Sequence, residues 1–313
     1  MADTVAGKIV NRPGPTVPES SARLMRWATY ASVSVALGLI ALKTGAWLHT
    51  NSVSILTSLV DSLLDAGASL INLFAVRHSL LPADREHRFG HGKAEAVAGL
   101  SQAGIIGGSA AFLLLQAGDR LLHPEPVVDT DVGISVMGIS FVATALLLAF
   151  QRYVVRKTKS VAISADSLHY LSDLFTAVAV VMALVLTERF SFASADPLIA
   201  GAIAAYILYS AWKIATDAFD QIMDREFPDE DRDRIRDVVM GHSEVLDMHD
   251  LRTRSSGTNT FIQLHLELDG SMSLDRAHEI ADEVQLLLER AFPDAEVLIH
   301  QDPEGLEEHP VFN

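Results

Sequence analysis

The sequence predicts an all-α transmembrane domain of six helices, followed by a small α+β domain outside the membrane. The 313-residue chain is 49% hydrophobic and 20% charged, with a mean hydropathy of +0.25, which is unusually apolar for a soluble protein of this length. After residue 219 a nearly uncharged stretch gives way to one rich in Asp, Glu and Arg. We therefore expect a flexible tail (1–20), a transmembrane domain (21–222), a second domain (223–303) and a C-terminal tail (304–313).

Six apolar runs predict the transmembrane helices. Each is about 20 or more residues long, which is enough to cross the hydrocarbon core of a bilayer. The runs are 24–48, 53–80, 96–122, 132–155, 161–186 and 198–219. The first run is full length and follows a polar tail, so we expect no cleavable signal peptide. The third run is rich in Gly, Ala and Ser, which predicts close helix packing, either within one subunit or between two.

Lysine and arginine fall mainly on one side of the predicted membrane. That side carries Lys8, Arg12, Arg23, Arg26, Arg77, Arg85, Arg88, Lys93, Arg152, Arg156, Lys157 and Lys159. The loops of the opposite side carry Arg120 and Arg189. Because loops rich in these residues stay in the cytoplasm, we predict a multi-pass membrane protein with both termini in the cytoplasm.

Two of the apolar runs each carry two potential metal ligands at a spacing of four residues. The second run holds Asp61 and Asp65, and the fifth holds His169 and Asp173, so each pair lies on one helix face. A charged side chain at the bilayer centre costs roughly 2.5 to 3.5 kcal/mol, so such pairs need a compensating cation or partner. The two runs cross in opposite directions, and a rise of about 1.5 Å per residue brings both pairs to a similar depth.

Three carboxylates and one imidazole suit a tetrahedral Zn²⁺ ion, for which Fe²⁺, Co²⁺ and Cd²⁺ would compete. The chain has no cysteine, so thiolate ligands are excluded. The alternative is that the carboxylates pair with buried donors and only hold the helices together. The sequence offers no Lys or Arg at their level, because Lys43 stands near the outer end of the first run, where we expect it to reach the lipid headgroups.

The loop after the second run contains three more potential ligands, Asp84, His87 and His91, within eight residues. Their spacing predicts a metal site at the membrane surface. The alternative is a solvated polar loop without a bound ion.

The chain beyond residue 222 predicts a small αββαβ domain. Asp229 is expected to cap a helix that ends near Gly241, and Ser273 a helix that ends near Phe292. Segments 246–255 and 260–268 alternate apolar and polar residues around a turn at 256–259, and a last strand covers 296–300. Such a sheet would bring together His249, His265, His278, His300 and Asp302.

From residue 225 onward, 22 acidic residues stand against 8 arginines, which gives 8 − 22 = −14 of the formal charge of −16. A phosphate backbone would be repelled by this surplus, so we expect no nucleic-acid partner.

Five motifs stand in a fixed order along the chain. They are DxxxD at 61–65, PADREHRFGHGKAE at 82–95, HxxxD at 169–173, HDLRTR at 249–254 and IHQDP at 299–303. With these motifs the chain resembles the cation diffusion facilitator family, and within it the bacterial zinc and ferrous-iron efflux branch. The resemblance extends from about residue 24 to residue 303.

The resemblance implies a role for each group of ligands. The transported ion would be bound by Asp61, Asp65, His169 and Asp173, with the histidine favouring Zn²⁺ and Cd²⁺. The loop residues would form a weaker second site, and Lys93 would form a salt bridge with Asp224. The cytoplasmic domain would be metallochaperone-like and hold two zinc ions, one on His249, His265 and Asp302 and the other on His265, His278 and His300.

The resemblance also implies a homodimer in the bacterial inner membrane that exchanges protons for metal by alternating access. His169 is the expected proton carrier, because histidine changes its charge nearest to neutral pH. Zinc in the cytoplasmic domain is expected to tighten the dimer. Its occupancy should fall below about pH 6, since metal-bound imidazoles must be neutral.

Two functions of other classes compete with transport. An intramembrane metalloenzyme would need an open metal position and a catalytic signature, and the apolar runs contain no Glu-x-x-His pairs. A metal sensor or storage protein would work through the cytoplasmic cluster alone. Metal accumulation against a pH gradient distinguishes a transporter from both.

Overall fold

The computed structural model of the protein describes residues 18–50, 53–122, 131–190, 195–293 and 295–305. Most of both predicted tails lies outside these residues. Within them the chain forms six long helices, followed by a helix, two strands, a helix and a strand. The predicted fold class, an all-α transmembrane domain followed by a small αββαβ domain, is confirmed.

The six long helices contain between 27 and 32 residues each. They are α1 (Glu19–Thr50), α2 (Val53–Ser79), α3 (Lys93–Leu122), α4 (Asp131–Thr158), α5 (Val161–Phe190) and α6 (Ala195–Ile222). Among the described residues, stretches of α1, α2, α3, α4 and α6 are long and apolar enough to cross a membrane. Large apolar side chains such as Leu64, Phe74 and Trp212 lie on the outer surface, as helices surrounded by lipid require.

Small residues of α3 allow it to pack closely against its neighbours. A Cβ atom placed on Gly99 would lie 2.8 Å from Cγ1 of Val161 in α5, so a larger residue would have to displace the Val161 side chain. A Cβ atom on Gly107 would lie 3.8 Å from Cδ1 of Leu208 in α6. These contacts show packing within one chain, and whether other small residues of α3 also contact a second subunit stays a prediction.

A buried polar network joins four of the helices. Asp166 of α5 is 1% exposed, and its Oδ2 accepts hydrogen bonds from Ser32 Oγ of α1 and Gln151 Nε2 of α4, both at 2.6 Å. Its Oδ1 accepts a hydrogen bond from Gln102 Nε2 of α3 at 3.3 Å. Hydrogen bonds to a carboxylate are strong in a low dielectric. The network therefore fixes α5 against three neighbours one turn before His169.

The second domain consists of α7 (Asp229–Met240), β1 (Asp247–Ser256), β2 (Asn259–Leu268), α8 (Leu274–Ala291) and β3 (Ala295–Pro303). The strands form one sheet in the order β1-β2-β3, with β1 antiparallel and β3 parallel to β2. Apolar side chains of both helices and all three strands form its core, which includes Ile235, Met248, Ile262, Leu264 and Leu288.

The two predicted helix caps have different outcomes. Ser273 caps α8, because its Oγ accepts a hydrogen bond from the backbone N–H of Arg276 at 3.2 Å. The predicted cap of α7 is wrong: Asp229 is the first helical residue, and Pro228 precedes it with an extended ψ of 149° and no side-chain cap. Asp229 instead adds negative charge to the first turn, where the helix dipole favours it.

The loop between α2 and α3 packs against the β1–β2 hairpin of the second domain. The guanidinium group of Arg254 lies 4.5 Å from the ring centre of Phe89 and 4.6 Å from that of Phe261. Lys93 Nζ lies 3.0 Å from Asp224 Oδ2, and Arg254 Nη1 lies 3.5 Å from Asp224 Oδ1. The side chains of Lys93 and Asp224 are both 38% exposed, so this ion pair alone contributes about 1 kcal/mol or less.

Candidate metal centres

Helices α2 and α5 bring three of the four predicted intramembrane ligands together. His169 Nε2 lies 2.8 Å from Asp65 Oδ1 and 3.9 Å from Asp173 Oδ2. One ligand atom from each of these residues lies within 4.8 Å of the other two, a spacing that could hold a metal ion. Beside them, the hydroxyl groups of Tyr170 and Ser69 are 2.9 Å apart, which pins α5 to α2 next to His169.

Asp61, the fourth predicted ligand, does not join this group. It lies one turn nearer the start of α2, and its residue is exposed. Asp65 contacts the imidazole of His169. Asp61 instead faces Asp173 as its nearby charged group on α5, and the two carboxylates repel each other. Asp61 thus lies next to the group without being part of it.

Lys43 corrects the expectation that no cation stands near these carboxylates. Its residue is 9% exposed, and Nζ donates hydrogen bonds to the backbone oxygen of Ser58 at 3.1 Å and to Ser62 Oγ at 2.7 Å. Ser62 follows Asp61 directly in α2, and the ammonium group interacts electrostatically with Asp61, Asp65 and Asp173. The lysine therefore points into the helix bundle and not toward the headgroups.

The loop residues Asp84, His87 and His91 form a second group whose ligand atoms lie within 4.8 Å of one another. Asp84 Oδ1 accepts hydrogen bonds from the backbone N–H groups of His87 (2.6 Å) and Glu86 (2.9 Å). The bond from His87 is the larger cause that holds the pKa of Asp84 below its ordinary value, so this carboxylate is charged at neutral pH. Its Oδ2 lies 3.3 Å from His91 Nε2.

The backbone of this loop turns so that His91 faces inward. Gly90 has a φ of +78°, a conformation that glycine adopts without strain. His91 is 8% exposed, whereas Asp84 and His87 are exposed. The buried His91 beside the carboxylate of Asp84 is compatible with a metal site, which stays a prediction.

The three strands of the second domain place histidines side by side. His249, His265 and His300 are paired across β1, β2 and β3, and their neighbouring ring centres are 5.3 and 4.7 Å apart. Asp302, 8% exposed, lies among them: its Oδ2 is 2.8 Å from His265 Nδ1 and 3.5 Å from His249 Nε2. Its Oδ1 is 3.2 Å from His300 Nε2.

His278 does not join this cluster within the described chain. It lies on the exposed side of α8, with Nε2 3.9 Å from Asp282 Oδ2 in the next helical turn. Within the described residues of this chain, the set of ligands expected for a second zinc ion is therefore incomplete.

Asp250 is a residue near the cluster that the sequence did not indicate. The β1–β2 pairing is irregular between His249 and Arg252, and Asp250 has a φ of +46° there. Its Oδ2 lies 3.8 Å from His265 Nε2, opposite the ring nitrogen that faces Asp302. A regular strand would have turned this side chain away, and no local pattern signals the irregularity.

Known proteins match both parts of the chain. Residues 29–223 match the cation efflux transmembrane domain, and residues 227–304 match the cytoplasmic domain of cation efflux proteins. The cation-efflux pump FieF of Serratia proteamaculans (strain 568) is 49% identical over 282 residues, which cover 90% of this chain and 94% of that protein. FieF of Yersinia pestis (strain Pestoides F) has the same identity and coverage.

One solved structure is similar to part of this chain. The metal-bound C-terminal domain of the CzcD transporter from Thermotoga maritima is 34% identical and covers 25% of this chain and 93% of that one, with a TM-score of 0.25. Matches to both domain families and near-complete coverage of the FieF pumps show that this chain belongs to the cation diffusion facilitator family, in its zinc and ferrous-iron efflux branch, and is a cation efflux transporter rather than an enzyme.

Proposed function

We propose that the protein exports Zn²⁺ from the cytoplasm in exchange for protons, with Cd²⁺ and Fe²⁺ as competing cargo. The observation that carries this proposal is the group formed by Asp65, His169 and Asp173, whose ligand atoms lie within 4.8 Å of one another between two apolar helices. Two carboxylates in such a place need compensating positive charge, which the ammonium group of Lys43 supplies only in part. Carboxylate and imidazole ligands suit Zn²⁺ in a tetrahedral site.

In this proposal Asp61 completes the site when the ion binds. It lies one turn from Asp65 on the same helix face, and its exposed side chain has room to change rotamer. Such a fourth ligand could join the ion when it binds from one side of the membrane and leave it before release on the other side. This behaviour suits a transported ion better than a permanently bound one.

Protons take the place of the metal during the return step. The imidazole nitrogen of His169 that faces the carboxylates can bind either the metal or a proton, but not both. Protonation on the outer side therefore favours release of the metal, and deprotonation on the cytoplasmic side favours its binding.

We further propose that the cytoplasmic cluster binds zinc and stabilises a homodimer, and that both termini lie in the cytoplasm. The side-by-side histidines around Asp302 support the first part. The distribution of Lys and Arg supports the second.

The test is uptake of Zn²⁺ into proteoliposomes that hold a defined pH gradient. We expect Asp65→Asn and His169→Ala to abolish gradient-driven uptake, because each removes a ligand from the group that α2 and α5 form. Asp217→Asn is the matched control, since Asp217 is an acidic residue of α6 that lies outside the group. Uptake that survives both site variants would show that the paired motifs are structural.

A further inference from the structure

His78 of α2 lies beside the loop group Asp84, His87 and His91. Its ring centre is 4.6 Å from that of His91, with the planes at 71°. The rings of His87 and His91, both members of the group, have the same separation of 4.6 Å. His78 thus approaches His91 as closely as an expected ligand does.

The loop group by itself offers three ligands, whereas zinc in a closed protein site takes four. His91 Nε2 faces Asp84, and its Nδ1 is buried without a hydrogen-bond partner among the described residues. A nearby imidazole could supply the missing ligand. At a Zn–N distance of about 2.0–2.1 Å, two imidazoles on one tetrahedral ion have ring centres about 5 Å apart.

We propose that His78 is the fourth ligand of this site, which would then be a closed zinc centre of three histidines and one aspartate. The nitrogens of His78 lie outside the group of atoms that are within 4.8 Å of one another, so its side chain must rotate to reach the ion. His78 is exposed in the last turn of α2, which leaves room for that rotation.

A fourth ligand from α2 would link that helix mechanically to the loop. The helix that carries Asp61 and Asp65 would then be tied through the ion to the loop, and the loop already packs against the second domain through Phe89 and Arg254. A closed site also holds its ion without an open position, as resident and not transported metals do.

The test uses the full-length protein in detergent, with His169→Gln and His265→Gln present so that the other two centres are disabled. Co²⁺ and Zn²⁺ are titrated, and cobalt absorption reports the coordination number, because four-coordinate Co²⁺ absorbs visible light much more strongly than five- or six-coordinate Co²⁺. We expect one intense tetrahedral site in this background.

Three variants then assign the ligand. His78→Gln should weaken Zn²⁺ binding at least about tenfold and lower the cobalt absorption. His78→Asp, which retains a metal-binding oxygen, should keep four-coordination. His49→Gln is the matched control, since His49 is an exposed histidine in the last turn of α1 and should change neither quantity.

X-ray absorption at the zinc edge provides a second measurement. We expect three imidazoles per zinc ion in the protein with His169→Gln and His265→Gln alone, and two when His78→Gln is added. The proposal is overturned if the background protein binds no metal, or if His78→Gln leaves the affinity, the spectrum and the number of imidazoles unchanged. None of these measurements involves a gradient or transport, so their failure leaves the proposed export of Zn²⁺ standing.

Discussion

At the residue scale, Lys43 places a positive charge beside the carboxylates of the candidate transport site. Its ammonium group is held on α2 by Ser58 and Ser62, and it is buried where charge is weakly screened. This fixed charge offsets part of the negative charge of the site before a metal enters. It also opposes the charge of the metal, and so keeps the site from holding the ion too tightly.

We therefore predict that Lys43→Met binds Zn²⁺ more tightly but transports it more slowly. Removal of the opposing charge should lower the KM for Zn²⁺ and reduce the maximal uptake rate, because release becomes limiting. Calorimetry in detergent gives the affinity, and proteoliposome uptake gives the rate. Lys213→Met, at an exposed lysine of α6, should affect neither quantity. Unchanged or weaker binding in Lys43→Met would contradict this role.

At the element scale, the α2–α3 loop and the β1–β2 hairpin meet at two glycines. A Cβ atom on Gly92 would lie 2.1 Å from the backbone oxygen of Ser256, which is too close for any larger residue. Gly257, at the hairpin turn, has a φ of +62°, and a Cβ atom there would lie 2.9 Å from the backbone oxygen of Gly92. The close contact lets the rings of Phe89 and Phe261 flank Arg254.

Gly92→Ala is accordingly expected to separate the loop from the hairpin. The added methyl group would meet the backbone and not a flexible side chain, so we expect a loss of about 1–3 kcal/mol, as for other overpacked positions. Thermal unfolding in detergent measures the loss, and hydrogen exchange should show faster exchange in both segments. Gly104→Ala, which has open space around it, should show no such change. Equal stability of the two variants would rule out a tight contact.

At the scale of the whole molecule, zinc bound by the cytoplasmic cluster is expected to link metal supply to the stability of the proposed dimer. When the free concentration of an ion is 100 times its Kd for the folded domain, its binding adds about 2.7 kcal/mol to the free energy of unfolding. In one subunit the structure groups His249, His265, His300 and Asp302, while His278 lies apart. The first of the two expected zinc ions should therefore depend on Asp302 but not on His278.

Removal of zinc with a chelator should lower the thermal stability of the full-length protein and shift it toward monomers in light scattering. Asp302→Asn should reproduce both effects in the presence of zinc, because Asp302 contacts all three clustered histidines. His278→Ala should retain at least one cytoplasmic ion per subunit by metal analysis. Loss of all cytoplasmic zinc in His278→Ala would show that the helix residue is a primary ligand.

The sequence by itself determined the six helices, the αββαβ order, the Ser273 cap and the residues that became candidate ligands. These features depend on local spacing: the length of an apolar run, alternation along a strand, or two ligands one helical turn apart. A four-residue spacing places Asp65 and Asp61 on one face of α2 whatever the neighbouring helices do. The αββαβ order in turn predicted that His249, His265 and His300 lie on adjacent strands.

Only the tertiary structure decided which of these side chains meet, and which others join them. Asp166 bonds to Ser32, 134 residues away in the chain, and Lys43 turns inward to reach Ser62 on α2. His78 stands beside His91 because the loop folds back on α2, whereas His278 points away from the sheet. Such contacts follow from helix crossings, loop paths and rotamers, which join distant parts of the chain, and no local pattern encodes them.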